Sequence, residues 1–242
     1  MYERVQMNKT DFKDFLLSGR FLNLMGGRKY FSLEDVRSVL SPRYSSLKRA
    51  TLNRYLVELM KQGNVHSAGR GWYSVIARPF EVDRSAVQGI ISFIEKKYPL
   101  LLFSSWSTEQ LKTHTHHMLS KFVTFIFTDR DSMGSVYDFL KDAGYDVWLN
   151  PRGKDAERFA VGKKTVVIRP NISREPVDGH AARVEKILAD LLIEARDLML
   201  MDMEEYYRLR SDVLGSGRVD IATLLSYAKR RKLRVEKGSF KA

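Results

Sequence analysis

One stretch constrains this chain more than any other: residues 45–76, SSLKRATLNRYLVELMKQGNVHSAGRGWYSVI. Leu47, Leu52, Leu56, Leu59 and Met60 recur at helical spacing and define a single apolar stripe. Lys48, Arg49, Thr51, Asn53 and Arg54 fill the first half of the same helix on its other faces. Gly63 marks its end, because the residue past a helix often needs a left-handed backbone. Two short strands then flank Ala68-Gly69-Arg70-Gly71, a glycine-bearing turn with Arg70 near its tip. Upstream, Ser32-Leu-Glu-Asp has the form of a capping box opening a short helix, Leu33 to Leu40. Ser41-Pro42 ends that helix, since proline removes a donor and pushes the preceding residue to extended backbone.

Short helix, turn, longer helix and hairpin is the order of a winged helix-turn-helix. A helix basic in its first half and apolar behind can lie in a DNA major groove, with a hairpin arginine reaching adjacent phosphates or the minor groove. The plainer reading is an amphipathic helix with a solvated basic face.

Charge placement bears on that choice. Net charge is +12 overall. Residues 1–80 hold 14 Lys or Arg against 6 Asp or Glu, residues 81–228 hold 20 against 22, and residues 229–242 hold 7 against 1. Basic charge clustered in the helix-hairpin segment and at the C-terminal end favours a polyanion. A helix in a groove favours duplex DNA over RNA, whose A-form major groove is too deep and narrow.

The length, 242 residues, fits one large or two ordinary domains. The boundary falls at residues 78–83, giving a winged helix-turn-helix over 1–80 and an α/β domain over 81–242. No run of 18 apolar residues is present and the first residues lack the apolar core of a signal peptide, so a cytoplasmic protein without membrane attachment is expected. The absence of cysteine excludes disulfides and thiolate metal sites.

Along the chain, residues 10–24 read as a first helix, with Phe12, Phe15, Leu16 and Leu22 on its core face. Residues 84–97 read as a helix, and Leu100 to Phe103 as a buried strand with Ser104 to Thr108 beyond its carboxyl end. Ser107 caps a short helix through Leu111. Strands at 122–127, 145–149 and 165–169 alternate with a helix over 132–143. Helices at 179–200, 203–214 and 221–232 close the chain. The fold class expected is α+β or α/β, with a mixed sheet and a helical C-terminus.

Other candidate chemistry is weaker. His114-Thr-His-His117 places three imidazoles within four residues, but no partnering carboxylate stands at a metal-ligand spacing, and a loop or strand edge is the plainer reading. Asp146, Glu157 and Lys163 or Lys164 follow the order of restriction-type nuclease sites, yet no Glu-x-Lys is present. No phosphate-binding glycine loop and no nucleophile elbow occurs. Ser104-Ser-Trp-Ser-Thr108 sits where α/β sheets usually bind ligands, beyond the carboxyl end of a strand, or Trp106 is a packing tryptophan at a domain interface. Asp202 to Tyr207 reads as a partner surface or an ordinary amphipathic helix, and Lys229-Arg-Arg-Lys232 as a phosphate contact or a solvated terminus. No catalytic residue, metal or cofactor is assigned.

The layout resembles the AbiEi family of antitoxins from bacterial abortive-infection toxin–antitoxin systems. The resemblance rests on Gly63…Gly69-Arg70-Gly71-Trp72-Tyr73, an α/β domain after Pro79, and Leu224-Leu-Ser-Tyr-Ala-Lys-Arg-Arg231 near the end. It implies a non-enzymatic repressor that binds inverted repeats in its own promoter, as a monomer or weak dimer. It also implies antagonism of a nucleotidyltransferase-like toxin encoded beside it, without a stable complex being required. By position, Arg43, Lys48, Arg49, Thr51, Asn53 and Arg54 would face DNA, with Arg70 in the wing. Two alternatives stay open: a winged-helix transcription factor whose α/β domain senses a ligand, and a nuclease targeted by the winged helix.

Overall fold

A computed structural model describes residues 13–15, 18–42, 48–115, 121–236 and 239–241, with Phe21, Glu236 and 239–241 by backbone alone. The protein is of the α+β class, with helices and a mixed sheet. It divides into two compact units: residues 1–79 with 215–222, and residues 80–214 with 223–242.

The first unit contains α1 (Phe21–Leu24), β1 (Tyr30–Ser32), α2 (Leu33–Leu40), α3 (Arg49–Lys61), β2 (His66–Ser67) and β3 (Trp72–Ser74). The single helix expected over 10–24 is interrupted. Residues 13–15 are helical, Ser18–Arg20 form a turn with Gly19 at φ +71°, and α1 follows; residues 10–12, 16 and 17 lie outside the described residues. The capping box on α2 is complete: Asp35 N donates to Ser32 Oγ at 3.0 Å, and Ser32 N donates to Asp35 Oδ2 at 2.8 Å. This satisfies two amides that the first helical turn leaves open. Leu52, Leu56 and Leu59 of α3 pack with Phe31, Val36, Leu40 and Val65. Gly63 follows α3 at φ +76°. The sheet is antiparallel, in the order β1-β3-β2.

Segment 215–222 is tied into this unit by hydrogen bonds. Lys29 Nζ donates to Gly215 O at 3.1 Å, and Tyr30 Oη donates to Gly217 O at 2.8 Å. Val219 N donates to Tyr30 Oη at 2.9 Å, Arg218 N to Arg78 O at 2.8 Å, and Ala222 N to Ala68 O at 3.3 Å.

The second unit contains α4 (Ser85–Lys97), β4 (Phe103–Ser107), a 3-10 turn over Thr108–His114, β5 (Val123–Thr128), α5 (Met133–Asp142), β6 (Asp146–Leu149), α6 (Lys154–Glu157), β7 (Thr165–Pro170), β8 (Val177–Asp178), β9 (Ala181–Ala182) and α7 (Val184–Asp197). It also holds most of α8 (Met203–Ser216) and α9 (Ile221–Arg230), and the hairpin β10 (Arg234–Glu236) and β11 (Ser239–Lys241). The six-stranded sheet runs β6-β7-β5-β4-β9-β8. β6, β7 and β5 are parallel, β4 is antiparallel to β5 and parallel to β9, and β8 is antiparallel to β9. Val87, Ile90, Ile91 and Ile94 of α4 and Met133, Val136 and Leu140 of α5 pack with Ile126, Val166 and Ile168. Phe127, beside Ile126 and so directed the opposite way, meets Lys186 of α7, whose Nζ is 3.4 Å from the ring centre. A sheet buried on two faces accounts for the unbroken apolar runs of β5 and β7.

Three sequence expectations are corrected here. The strand expected over Leu100 to Phe103 begins only at Phe103. It continues through Trp106 to Ser107, while Leu100 and Leu102 are exposed by 94% and 77%. All five residues of β4, an interior strand of the sheet, are buried; Ser104 Oγ donates to Glu175 Oε2 at 2.5 Å and Ser107 Oγ accepts from Glu109 N at 3.2 Å, while the buried Ser105 Oγ has no hydrogen-bond partner among the described residues. The helix expected from Gly179 begins at Val184, after the β8–β9 hairpin turning at Gly179, φ +60°. The C-terminus is not wholly helical: α9 stops at Arg230, Lys232 takes φ +61°, and β10–β11 follow, matching the alternation of Leu233-Arg-Val-Glu236.

Candidate nucleic-acid interface

The helix α3 sorts its residues cleanly. Leu52, Leu56 and Leu59 are buried; Lys48 at the N-cap, Arg49, Asn53, Arg54, Val57 and Lys61 are exposed, and Thr51 is half-buried. Asn53, Arg54, Val57 and Lys61 fall on one stripe because residues three and four apart share a face. No ion pair among the described residues engages Lys48, Arg49, Arg54 or Arg70. Lys48 makes no side-chain capping bond, and the first turn holds no acidic residue. The first amides and the positive end of the helix dipole are therefore not met by local acidic groups. Arg54 lies over the Tyr55 ring, 5.4 Å from its centre.

The β2–β3 turn is fixed from two sides. Ala68 N donates to Trp72 O at 2.9 Å, and Trp72 N donates to Gly69 O at 3.0 Å. Leu33 N, at the start of α2, donates to Gly71 O at 3.0 Å, and Ala222 N reaches Ala68 O. Gly69 and Gly71 take φ +95° and +76°, the region glycine enters without penalty. Between them Arg70 is exposed. Tyr73 stacks on Phe31 with ring centres 6.0 Å apart. Burial pushes the Tyr73 hydroxyl above the usual phenol range, partly opposed by the Arg49 charge.

Of the sequence candidates, Lys48, Arg49, Thr51, Asn53 and Arg54 lie together along α3, and Arg70 lies at the turn; Arg43 lies outside the described residues. Sequence reasoning passed over Val57, exposed by 46% on the polar stripe. Its presence on the outer face was hidden because an apolar residue at helical spacing reads first as core.

The remaining candidates disperse. Asp146 opens β6 and accepts from Thr165 Oγ1 at 2.8 Å, next to Lys164, whose carbonyl accepts from Asp146 N. Glu157 belongs to α6, beyond the opposite end of β6, so the nuclease-like set is split between the two ends of the strands. His114 Nδ1 lies 2.5 Å from Asp212 Oδ2, and its ring packs on Phe80; His116 and His117 lie outside the described residues. No group of three or more His, Asp or Glu placed to hold a metal occurs among the described residues. Trp106 is fully buried and stacked on Phe125, 4.4 Å between centres.

The second unit holds an ionic cluster that the sequence did not announce. Lys186 is fully buried and contacts Asp190 at 2.8 Å and Glu175 at 3.1 Å. Tyr227 Oη lies 2.9 Å from Lys186 Nζ and 3.0 Å from Asp190 Oδ1. Burial, reinforced by Asp190 and Glu175, drives the Tyr227 hydroxyl far above the phenol range. Arg169 of β7 donates from Nε and Nη2 to Glu194 of α7.

No helix among the described residues is long and apolar enough to cross a membrane. No curated protein and no solved structure is matched by the chain. A family match extends over residues 51–240, from within α3 to the last hairpin, and the chain belongs to that family, DUF6577, a family of unknown function.

Proposed function

We propose that this protein is a double-stranded DNA-binding transcriptional regulator whose first unit works as a winged helix-turn-helix. The observation that carries the reading is the exposed stripe of α3. Arg49, Asn53 and Arg54 stand free of ion pairs among the described residues, on a helix backed by Leu52, Leu56 and Leu59. In this reading α3 enters the major groove. Arg49 and Lys48 contact phosphates at its N-terminal end, and Asn53 and Arg54 address base edges. Arg70 at the β2–β3 turn reaches the flanking backbone.

The resemblance in layout to AbiEi antitoxins extends the proposal. The DNA bound is the protein's own promoter, through inverted repeats, and the second unit antagonises a toxin encoded beside it. Cytoplasmic location follows from that role.

The test is binding of the full chain to a labelled duplex from upstream of its own gene, against an unrelated duplex, over a salt titration. Selective binding that survives moderate salt is expected. Replacing Arg49 and Arg54 together by alanine should weaken it and lower the salt slope by about one for each phosphate no longer neutralised. Both positions are exposed, so folding should be retained. Unchanged binding by the double variant removes α3 as the reading helix. Equal, salt-sensitive binding to both duplexes removes the regulator.

A further inference from the structure

The second unit contains a cavity of 470 Å³. Sites for metabolite-sized ligands typically enclose about 300–1,000 Å³. The cavity opens at the carboxyl ends of the adjacent parallel strands β6 and β7, between the turn at Pro151–Gly153 and the last turn of α7. Crevices at this end of parallel strands are the usual ligand sites of such sheets.

Its floor is charged and buried. Arg169 is already committed. Nε and Nη2 donate to Glu194 at 3.0 and 2.5 Å, and Nη1 donates to Pro151 O at 2.8 Å and to Asn150 Oδ1 at 3.3 Å. Arg231, just past α9, is ion-paired through its Nε edge but makes no hydrogen bond there. Its Nε lies 2.8 Å from Asp190 Oδ1, yet the direction is wrong for a hydrogen bond, and this buried nitrogen has no acceptor. The Arg231 side chain is only 13% exposed and lines the cavity. A guanidinium has five N–H donors, and leaving a buried donor without an acceptor costs free energy. At the rim, Arg152 is exposed and has no side-chain partner among the described residues. Ile193 and Met199 supply apolar wall, and Met199 stands 86% exposed at φ +51°.

Arg231 shares the buried Asp190 carboxylate with Lys186, and the acids lining the cavity are mostly taken up by other cations. Glu194 is neutralised by Arg169, and Asp197 Oδ1 accepts from Arg196 Nε at 2.9 Å. Glu157, which also lines the cavity, alone among these acids has no side-chain partner among the described residues.

We propose that this cavity binds a small organic anion, its carboxylate or phosphate head held by Arg231 and Arg152 and its apolar body laid against Ile193 and Met199. The site belongs to the second unit alone and is independent of any DNA binding by α3.

The test is calorimetric titration of the full chain, without DNA, with hexanoate, hexyl phosphate and inorganic phosphate at matched ionic strength. Saturable binding of hexanoate or of hexyl phosphate is expected, and whichever binds more tightly identifies the head group. Arg152→Ala, a rim substitution that leaves the core untouched, should weaken it about ten-fold, the worth of one charge-assisted hydrogen bond. Arg231→Lys keeps the charge beside Asp190 while removing the fork, and should weaken it as well. No saturable heat with either organic anion overturns the proposal. So does binding that both variants leave unchanged, or inorganic phosphate binding as tightly as hexyl phosphate.

Discussion

The Asp220 carboxylate occupies the space into which a side chain on Gly69 would grow, and Ala222 Cβ would stand 2.6 Å from a Cβ placed there. A turn in the N-terminal 80 residues is thus shaped by a segment about 150 positions later in the chain. Gly71, two residues on, has the same backbone hand, φ +76°, but nothing lies within 4 Å of the place its Cβ would take. The two glycines separate backbone strain from overlap. Gly71→Ala should cost about 1–2 kcal/mol, the penalty of a left-handed backbone. Gly69→Ala adds displacement of packed neighbours and should cost roughly 2–4 kcal/mol. Urea denaturation of both variants measures the difference; equal losses would mean that Asp220 yields freely.

Tyr30 anchors the same segment with one oxygen, donating to Gly217 O at 2.8 Å and accepting from Val219 N at 2.9 Å. Tyr30→Phe removes both bonds and keeps the ring. At about 0.5–1.5 kcal/mol for each bond, the first unit should lose roughly 1–3 kcal/mol. Thermal denaturation reads the loss, and far-ultraviolet circular dichroism at low temperature should not change. A variant as stable as the parent would show that the segment is held by its other contacts alone.

What the sequence disclosed was local. The Ser32–Asp35 capping box, the leucine stripe of α3 and the stop at Gly63 have their determinants within a few residues, and each stands where periodicity placed it. The candidate DNA-facing residues of α3 share exposed faces for the same reason. Asp220 at Gly69 and Arg231 at the cavity were not legible, because pairs so distant in sequence leave no spacing to count. Lys186, Asp190 and Glu194 were illegible for another reason. Charged residues inside a helical period read as its solvent face, whereas α7 is buried nearly all round.

Leu100 to Phe103 is the sharpest case, since apolarity alone drew Leu100 and Leu102, which solvent reaches, into the strand. Leu100 is 94% exposed, whereas Phe103 is buried beneath α4 and stacks on His180 with ring centres 4.0 Å apart. Leu100→Ser should therefore change stability by less than about 0.5 kcal/mol. Phe103→Ala should cost about 3–5 kcal/mol through the cavity it leaves. Denaturant midpoints for the pair decide between the pairing pattern and the apolar run. A large loss at Leu100 would place it in a core after all.

The Arg169–Glu194 pair makes stability depend on pH in a direction the structure dictates. Burial raises the Glu194 carboxyl above its ordinary range, while the charge and hydrogen bonds of Arg169 hold it down. Asp190 adds to the rise, and Arg231 opposes it. An acid whose folded pKa lies above its unfolded value binds its proton more tightly when folded. Its ionisation therefore costs stability as pH climbs from the ordinary glutamate range through the folded pKa. Arg169→Met removes the largest opposing influence and moves Glu194 further up, so the variant should lose stability more steeply over that window. Above it, the unpaired buried carboxylate should cost about 3–5 kcal/mol. As pH falls toward the ordinary glutamate range, near about 4.3, Glu194 takes up its proton and the deficit should shrink. Urea denaturation of parent and variant, at about pH 8 and again at about pH 5, tests this directly. A deficit equal at both values would mean that Glu194 stays ionised without its arginine, and that water reaches it in the variant.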